Sequence, residues 1–492
     1  MSTPDHLIDY SLVRRLQAQV ADDLTRERQQ REAARLPELS DDDQRQRSVS
    51  LASAAVSRYV RDEMSRGHAP PEGDFDARLV AAIDAAIWGA GELQELLDDP
   101  AIENIDINGC DGVWITYADG RGTVAGRPVA QTDAELIDIV RDLGSYAGIN
   151  ARPFTPTSPQ LDLRLGGGSR LSAVQSVSER PLVSIRLHRY PQVFLVDVPE
   201  VVLARTGDGT SPATLLQLGT VDERLAAFLQ AAVLARANII VAGATDAGKT
   251  TLLRALINCI PAEERLVTVE SALELGVGRY AELHPNVAEL EEVLPGSDGA
   301  GGVDIGQLVR RTRRMNPSRV IVGEVLGREV IEMLTAMSQG NDGSLSTIHA
   351  RSAAHVFERL AVYASHHEGL DFPITHALVG GAVDFVVFIK KNPLLGGRRT
   401  VTEVLEVTGS SGGQVTRACI FGPSPDDGRA VRDQAVAIAR ARELEFAGYD
   451  DSSWDPWEQN GSSSRSDFLS SDPYPDSVYP TGPYLDGRSR RH

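Results

Sequence analysis

The stretch Gly243-Ala-Thr-Asp-Ala-Gly-Lys-Thr250 decides the fold of this chain. It satisfies the pattern G-x-x-x-x-G-K-[ST], with an apolar run at 238–242 before it and a helix-favouring run at 251–257 after it. A strand, a glycine-rich turn and a helix in this order form a phosphate-binding loop, because the backbone N–H groups of the turn and of the helix N-terminus point at the phosphates. The sequence therefore predicts a nucleoside triphosphate site.

Two side chains of this loop have separate tasks. Lys249 adds a positive charge to the β and γ phosphate oxygens, and the hydroxyl of Thr250 can ligate Mg²⁺. The expected ligands are therefore ATP and Mg²⁺. We expect nucleotide contacts from the whole loop and from the residue that follows it: Gly243, Ala244, Thr245, Asp246, Ala247, Gly248, Lys249, Thr250 and Thr251.

Composition restricts the class of function. The 492 residues are enough for two or three domains, and the formal net charge of -20 argues against a protein that mainly binds nucleic-acid phosphates. The three cysteines lie far apart without a C-x-x-C pair, so neither a disulfide framework nor a zinc site is predicted. No signal peptide and no apolar run near the ~18 residues of a membrane span is found, so we expect a cytoplasmic protein with no span of its own.

The sequence pattern changes along the chain and predicts four segments. Residues 1–75 combine charged residues with apolar residues at helical spacing, which predicts a helical extension that is either solvated decoration or a partner-docking arm. Residues 76–205 mix helices with short strands and predict an α+β domain that ends in a linker at 191–212. Residues 206–450 alternate apolar strands with helices, as in an α/β nucleotide-binding domain with a parallel sheet. Residues 451–492 are rich in Ser, Pro, Gly and Asp and predict a disordered tail.

Hydrolysis needs a carboxylate that orients water or holds Mg²⁺. The stretch Arg319-Val-Ile-Val-Gly-Glu324 is an apolar strand that ends in a carboxylate, although Gly323 stands where a Walker B motif usually has Asp. Glu324 is therefore the candidate to polarise the attacking water. Glu270 or Glu274, at the end of another predicted strand, is expected to support Mg²⁺.

His349 follows the run 344–348 and is also predicted at a strand end. From the residues alone, it is either a structural histidine or a residue that hydrogen-bonds the γ-phosphate.

A basic stripe precedes Asn316-Pro317. It is either a solvated helix face or the source of an arginine that acts across a ring interface. Its members are Arg310, Arg311, Arg313 and Arg314.

Taken together, these stretches resemble the type II/type IV secretion ATPase superfamily, and most closely its tight-adherence pilus assembly branch, over residues 85 to 421. The resemblance includes four boxes in order: the Walker A loop, an acidic box, an atypical Walker B and a histidine box. Four boxes in this order are specific, whereas the Walker A loop alone is shared with many unrelated enzymes. After the Walker A loop, the acidic box is Thr268-Val-Glu270 with Glu274, the atypical Walker B is Arg319-Val-Ile-Val-Gly-Glu-Val325, and the histidine box is Gly343-Ser-Leu-Ser-Thr-Ile-His-Ala350.

The resemblance implies a RecA-like ATPase domain behind a smaller α+β domain, in a homo-hexameric ring with nucleotide between the two domains. It implies a motor that acts on an inner-membrane platform protein in pilus assembly or secretion, at the inner face of the cell membrane. It also implies phosphate contacts by His349, by Arg170 and Arg186 of the α+β domain, and by Arg310 and Arg314 across the ring.

Three positions depart from the family pattern. Ser271 replaces an acidic-box Asp, Leu326 stands where Arg is expected, and Asp246 replaces a loop glycine. A carboxylate beside phosphates is tolerable only if its side chain turns away or is held by a backbone N–H or a cation, and we expect such compensation for Asp246. The departures keep open a second interpretation, a nucleotide-gated structural ring with little hydrolysis. A third, a DNA translocase, is disfavoured by the acidic composition and the few aromatic residues.

Overall fold

A computed structural model of the chain shows two compact units, Met1–Arg189 and Tyr190–His492. The predicted tail from residue 454 onward lies outside the residues that the structure describes. The described residues are 9–33, 41–68, 74–88, 90–99, 101–117, 122–145, 153–165, 169–187, 192–203, 212–293, 301–338, 340 and 342–453.

The first unit begins with three helices, α1 (Tyr10–Ala33), α2 (Asp41–Ser65) and α3 (Phe75–Trp88). Each helix repeats apolar residues at helical spacing, so each buries one face against the other two. Leu16, Val56 and Leu79 are among the buried residues of this small core.

Polar contacts of α1 attach this bundle to the segment that follows α3. The Tyr10 hydroxyl donates to Glu95 Oε1 at 2.8 Å, and Arg14 Nη1 donates to Glu92 Oε1 at 2.7 Å. The guanidinium of Arg127 stacks on the Tyr10 ring at 5.0 Å from its centroid. The bundle is therefore packed onto the α+β part of its unit.

The α+β part contains a six-stranded antiparallel sheet in the order β3-β2-β1-β6-β5-β4. Leu136 and Val140 of the long helix α5 share a core with inward side chains of the strands, so α5 covers one face of the sheet. The apolar spacing of the sequence predicts a single helix from 79 to 97, and this prediction is wrong. Helix α3 ends at Trp88, and Gly91, with a φ of 57°, begins a 3₁₀ turn at Gly91–Leu93. The elements are α4 (Gln94–Asp98), β1 (Ile102–Asn108), β2 (Val113–Tyr117), β3 (Gly122–Ala125), α5 (Asp133–Ser145), β4 (Gln160–Arg164), β5 (Arg170–Val174) and β6 (Leu182–Arg186).

The second unit is an α/β domain. It begins with β7 (Val193–Phe194), α6 (Glu200–Leu203), β8 (Ala213–Thr214), α7 (Glu223–Leu234), β9 (Ile239–Gly243), α8 (Lys249–Ile257), β10 (Leu266–Glu270), β11 (Val287–Glu291), α9 (Ile305–Thr312) and β12 (Arg319–Val325). It continues with α10 (Val330–Ser338), β13 (Leu345–His349), α11 (His355–Glu368), α12 (Phe372–Ala382), β14 (Phe385–Asn392), β15 (Arg398–Ser411), β16 (Gln414–Pro423), β17 (Ala430–Arg432) and α13 (Ala441–Phe446).

A nine-stranded sheet in the order β11-β10-β12-β13-β9-β14-β15-β16-β17 forms the centre of this unit. The strands from β11 to β14 are parallel, and those from β14 to β17 are antiparallel. Helices α7 and α8 bury their apolar faces on one side of the sheet, and α9 to α12 on the other. The prediction of a RecA-like α/β domain is confirmed.

Two regions predicted as irregular contain ordered structure. Within the expected linker, β7 pairs with β8, and Val193 and Leu195 are buried in the core of the second unit. At the start of the expected tail, Asp451 forms ion pairs with Arg224 and Arg432, at 2.8 and 2.7 Å. The described residues of both regions therefore belong to the folded second unit.

Candidate nucleotide site

The phosphate loop connects the end of β9 to the start of α8. Gly243 is required at its first position, because a Cβ atom there would lie 2.3 Å from the carbonyl oxygen of Ile389. Gly248 caps α8 with φ 95°, a left-handed conformation that glycine adopts without strain. Of the other predicted residues, Ala244, Thr245, Asp246 and Ala247 lie in the turn, and Lys249, Thr250 and Thr251 begin the helix.

The side chains of Lys249 and His349 contact each other beside the phosphate loop. The buried Lys249 ammonium donates to the carbonyl oxygen of Ala244 at 3.1 Å and lies 3.1 Å from Nδ1 of His349. His349 is placed there by the sheet, since it pairs with Gly243 in the register of β13 and β9. Both ring nitrogens of His349 lie near this ammonium, Nδ1 at 3.1 Å and Nε2 at 3.4 Å, and Nε2 also lies 2.6 Å from Glu324 Oε1.

A bulge in β12 aims Glu324 at this histidine. The pairing of β12 with β13 shifts between Val322 and Val325, and the Thr347 hydroxyl donates to the carbonyl oxygen of Gly323 at 2.7 Å. Bulges commonly redirect a side chain next to a functional site. The expected catalytic residues Glu324 and His349 are thus brought together with Lys249.

Gly323 makes room for Glu270 on the neighbouring strand β10. A Cβ atom at position 323 would lie 2.8 Å from Cγ of Glu270 and 3.3 Å from its Oε1. This contact gives a steric reason for the absence of a Walker B aspartate here, since any side chain would overlap with Glu270.

Glu270 is a buried carboxyl with one satisfied oxygen. Its Oε1 accepts from the backbone N–H groups of Glu274 and Leu275 at 2.8 and 2.9 Å, whereas Oε2 has no hydrogen-bond partner among the described residues. Burial raises the pKa of Glu270 to about 7, against the two backbone hydrogen bonds that lower it. The group is therefore poised to change charge near neutral pH.

The predicted Mg²⁺ ligands lie at the same end of the sheet. The Thr250 hydroxyl lies 3.5 Å from Glu274 Oε2, so the structure places Glu274 rather than Glu270 beside Thr250. These oxygens and the unpartnered Oε2 of Glu270 are of the type that Mg²⁺ prefers. No cluster of three His, Cys, Asp or Glu side chains arranged for a metal occurs in the described part of the chain.

Asp246 is held by two cations. Arg399 Nη2 donates to Asp246 Oδ1 at 2.8 Å, and Lys391 forms an ion pair with Oδ2. The expectation that a cation compensates this carboxylate is confirmed. Neither cation was predicted from the sequence, although the basic pairs that flank the Gly396-Gly397 turn were the signal that could have revealed them.

The four arginines expected to contact phosphate are divided between the two units. Arg170 and Arg186 pair with each other in the register of β5 and β6, and the backbone of Arg164 pairs with Arg170, so three arginines stand in one row of the first unit's sheet. Arg310 of α9 pairs with Glu332 of α10 at 2.8 Å rather than with the loop, and Arg314 lies exposed beyond the end of α9.

A family model described as type II/IV secretion system protein matches residues 90–380. The chain belongs to this family. As a member of the type II/IV secretion family it is a nucleotide-binding ATPase of secretion and pilus-assembly systems. The bundle α1 to α3 and the cations Lys391 and Arg399 lie outside the matched residues.

Two relatives and one solved structure illustrate the range of the similarity. The putative conjugal transfer protein Rv3659c of Mycobacterium tuberculosis is 29% identical over 364 residues, which cover 72% of this chain and 94% of that protein. The type IV secretion system protein PtlH of Bordetella pertussis is 36% identical over 266 residues, 51% of this chain and 76% of that protein. The VirB11 ATPase of Brucella suis, crystallised with sulphate, is 27% identical over 66% of this chain and 96% of that chain, with a TM-score of 0.33.

None of the helices in the described ranges combines the length and the apolar character needed to cross a membrane.

Proposed function

We propose that this protein is a hexameric motor that hydrolyses ATP and drives an inner-membrane platform protein in secretion or pilus assembly. The observation that supports the proposal best is the meeting of Lys249, His349 and Glu324 at the ends of adjacent strands, with 3.1 and 2.6 Å between successive side chains. A phosphate-binding cation and a water-activating carboxylate are thereby joined through one imidazole.

Each group has a role in this reaction. Lys249 and the backbone of the loop bind the phosphates. Thr250 with Glu274 or Glu270 would hold Mg²⁺, which would supply charge neutralisation at the transferred phosphoryl group. Glu324 accepts the proton of the attacking water, and His349 fixes the orientation of Glu324 and contacts the γ-phosphate.

Arginines from elsewhere complete the site in this proposal. Arg170 and Arg186 of the first unit reach the phosphates, and Arg310 or Arg314 acts from a neighbouring protomer of the ring. Arg310 is suited to exchange, because its side chain is 62% exposed although it pairs with Glu332 at 2.8 Å. Single Arg170→Ala and Arg186→Ala variants should each lower kcat, since positive charge near the transferring phosphoryl group is lost. Wild-type kinetics in both variants would remove the first unit from the active site.

The proposed location is the cytoplasmic face of the inner membrane, with the platform protein as the partner. The tight-adherence pilus branch remains a prediction, because the relatives named above are conjugal transfer and type IV secretion proteins.

The decisive experiment is phosphate release by the purified full-length chain, together with its mass in solution with and without Mg-ATP. We expect Mg²⁺-dependent turnover by a hexamer, and further stimulation by vesicles with acidic phospholipids. A hexamer that binds ATP without turnover, with or without vesicles, would instead support the second interpretation, a nucleotide-gated structural ring with little hydrolysis. The replacement of an acidic-box Asp by Ser271 is the sequence feature that favours this interpretation. Turnover that depends on added DNA would favour a translocase.

A further inference from the structure

We propose that Asp246, Arg399 and Lys391 form a clamp through which the β14–β15 hairpin holds the phosphate loop in its nucleotide-binding conformation. In this clamp, the two cations are positioning residues that act through Asp246 and not by touching the nucleotide. The inference rests on the proposed nucleotide site and adds residues that the family match does not cover.

The first observation is the backbone of Asp246. Its φ is 61°, in the left-handed region that residues other than glycine adopt only at a cost, although Asp tolerates it better than most. Glycine at this position would be free of that strain. Strained residues persist where surrounding contacts determine their conformation, so the contacts of Asp246 need to be strong.

The second observation is that Arg399 and Lys391 together bind both carboxylate oxygens and the backbone carbonyl of Asp246. Arg399 binds both the side chain and the backbone of Asp246: its Nη2 donates to Oδ1 at 2.8 Å, and its Nε donates to the carbonyl oxygen at 3.1 Å. Lys391 pairs with the other carboxylate oxygen. The rigid fork of a guanidinium fixes the orientation of such a group in a way that a single ammonium cannot.

The third observation is that the same hairpin contacts the loop at three positions. Lys391 and Arg399 are register partners on β14 and β15, and β14 lies next to β9, which leads into the loop. Gly243 at the start of the loop packs on the Ile389 carbonyl, and a Cβ at Gly248 would lie 3.0 Å from Arg399 Cδ. The beginning, middle and end of the loop therefore rest on one hairpin.

Charge explains why the clamp matters for binding. A lone carboxylate in the loop repels phosphates, whereas two cations on its oxygens leave the trio with a net positive charge. Removal of a clamp cation should thus weaken nucleotide binding only as long as Asp246 is present. If the cations touched the phosphates directly, their removal would weaken binding whether or not Asp246 was there.

This difference is tested by a double-mutant cycle on the full-length protein. The dissociation constants of ATP and ADP are measured for wild type, Arg399→Gln, Asp246→Gly and the double variant, with Arg398→Gln as a control that removes the neighbouring charge. We expect Arg399→Gln to weaken ATP binding by roughly tenfold, which is within the coupling that contacting residues show. Asp246→Gly should bind ATP about as well as wild type or slightly less well, because glycine adds backbone entropy.

In the Asp246→Gly background, Arg399→Gln should change the dissociation constant by less than about twofold. Lys391→Gln, at a half-exposed position where folding is not at risk, should follow the same pattern with a smaller effect. Equal weakening by Arg399→Gln in both backgrounds, no effect of either cation variant, or a several-fold tightening by Asp246→Gly would each overturn the clamp.

The outcome is separable from that of the proposed motor function. A wild-type protein that binds ATP without hydrolysing it would refute the motor and leave the cycle fully readable. Absence of any nucleotide binding by wild type would refute both.

Discussion

The ammonium of Lys249 lies 3.1 Å from Nδ1 of His349, a residue 100 positions further along the chain. The other ring nitrogen of His349 lies 2.6 Å from Glu324. One imidazole thus connects the group expected to bind phosphate with the group expected to activate water. Substitutions at the two ends of this connection should therefore have different effects.

Lys249→Ala should abolish measurable ATP binding, because it removes the buried charge that faces the β and γ phosphate oxygens. The affinity is best measured with a fluorescent ATP analogue at equilibrium. Lys390→Ala is a matched control, since this lysine lies on β14 at a register position facing Thr400. Retention of tight ATP binding by Lys249→Ala would contradict the assigned role.

Glu324→Gln should keep ATP bound but slow hydrolysis by on the order of 10²-fold or more, because an amide of the same shape cannot accept a proton. Phosphate release at saturating ATP measures the chemical step, and a binding titration measures affinity. A loss of affinity as large as that of Lys249→Ala would show that Glu324 serves binding rather than catalysis.

Gly323→Ala should destabilise the second unit by about 1–3 kcal/mol, the usual cost of an extra methyl group in a packed site. The new Cβ would lie 2.8 Å from Cγ of Glu270, which is buried and cannot move away. Denaturant unfolding gives the free-energy change. Gly381→Ala, on an exposed face of α12 with no atom within 4 Å of the new Cβ, should be neutral or stabilising. Equal behaviour of the two variants would refute the steric explanation for the missing Walker B aspartate.

The raised pKa of Glu270 predicts a specific pH dependence. Between its ordinary pKa of 4.5 and its folded pKa of about 7, the folded state binds a proton that the unfolded state has lost. The stabilisation of the folded state by this proton is fully present below pH 4.5 and is lost as the pH rises through 7. The difference between the two pKa values corresponds to at most about 3 kcal/mol.

The check is denaturant unfolding of nucleotide-free protein in EDTA at pH 5 and pH 8. Wild type should lose more stability over this range than Glu270→Gln, whose side chain does not titrate. The difference between the two proteins isolates this carboxyl, because all other groups titrate in both. Identical pH profiles would show that Glu270 is ionised throughout.

Much of the second unit could be predicted from sequence because its signals are local. Strands β9, β10, β12, β13 and β14 are short apolar runs with a turn at each end, and the strand–loop–helix order around Lys249 fixes where phosphates bind. Since parallel strands end at one edge of a sheet, the meeting of Glu324 with His349 follows once both are recognised as strand ends.

The parts that could not be predicted depend on contacts between distant segments. Nothing near Gly323 in the sequence reveals that Glu270 fills the space beside it. Likewise, Asp246 and Arg399 are separated by 153 positions, and only the register of β14 and β15 brings the arginine to the loop. The break between α3 and α4 was not predicted because the helical spacing of apolar residues continues across Gly91. The backbone of Gly91, however, has a φ of 57° and is not α-helical.

The attachment of the helical bundle through Tyr10 and Arg14 has a mechanical consequence. A bundle joined to the rest of its unit only by a flexible linker would not transmit a force to it. Here, hydrogen bonds of 2.8 and 2.7 Å link α1 to the segment that leads into the first unit's sheet, and Arg127, which follows β3, stacks on Tyr10 of α1. We expect a force applied to the bundle to be transmitted through these contacts to the sheet that carries Arg170 and Arg186.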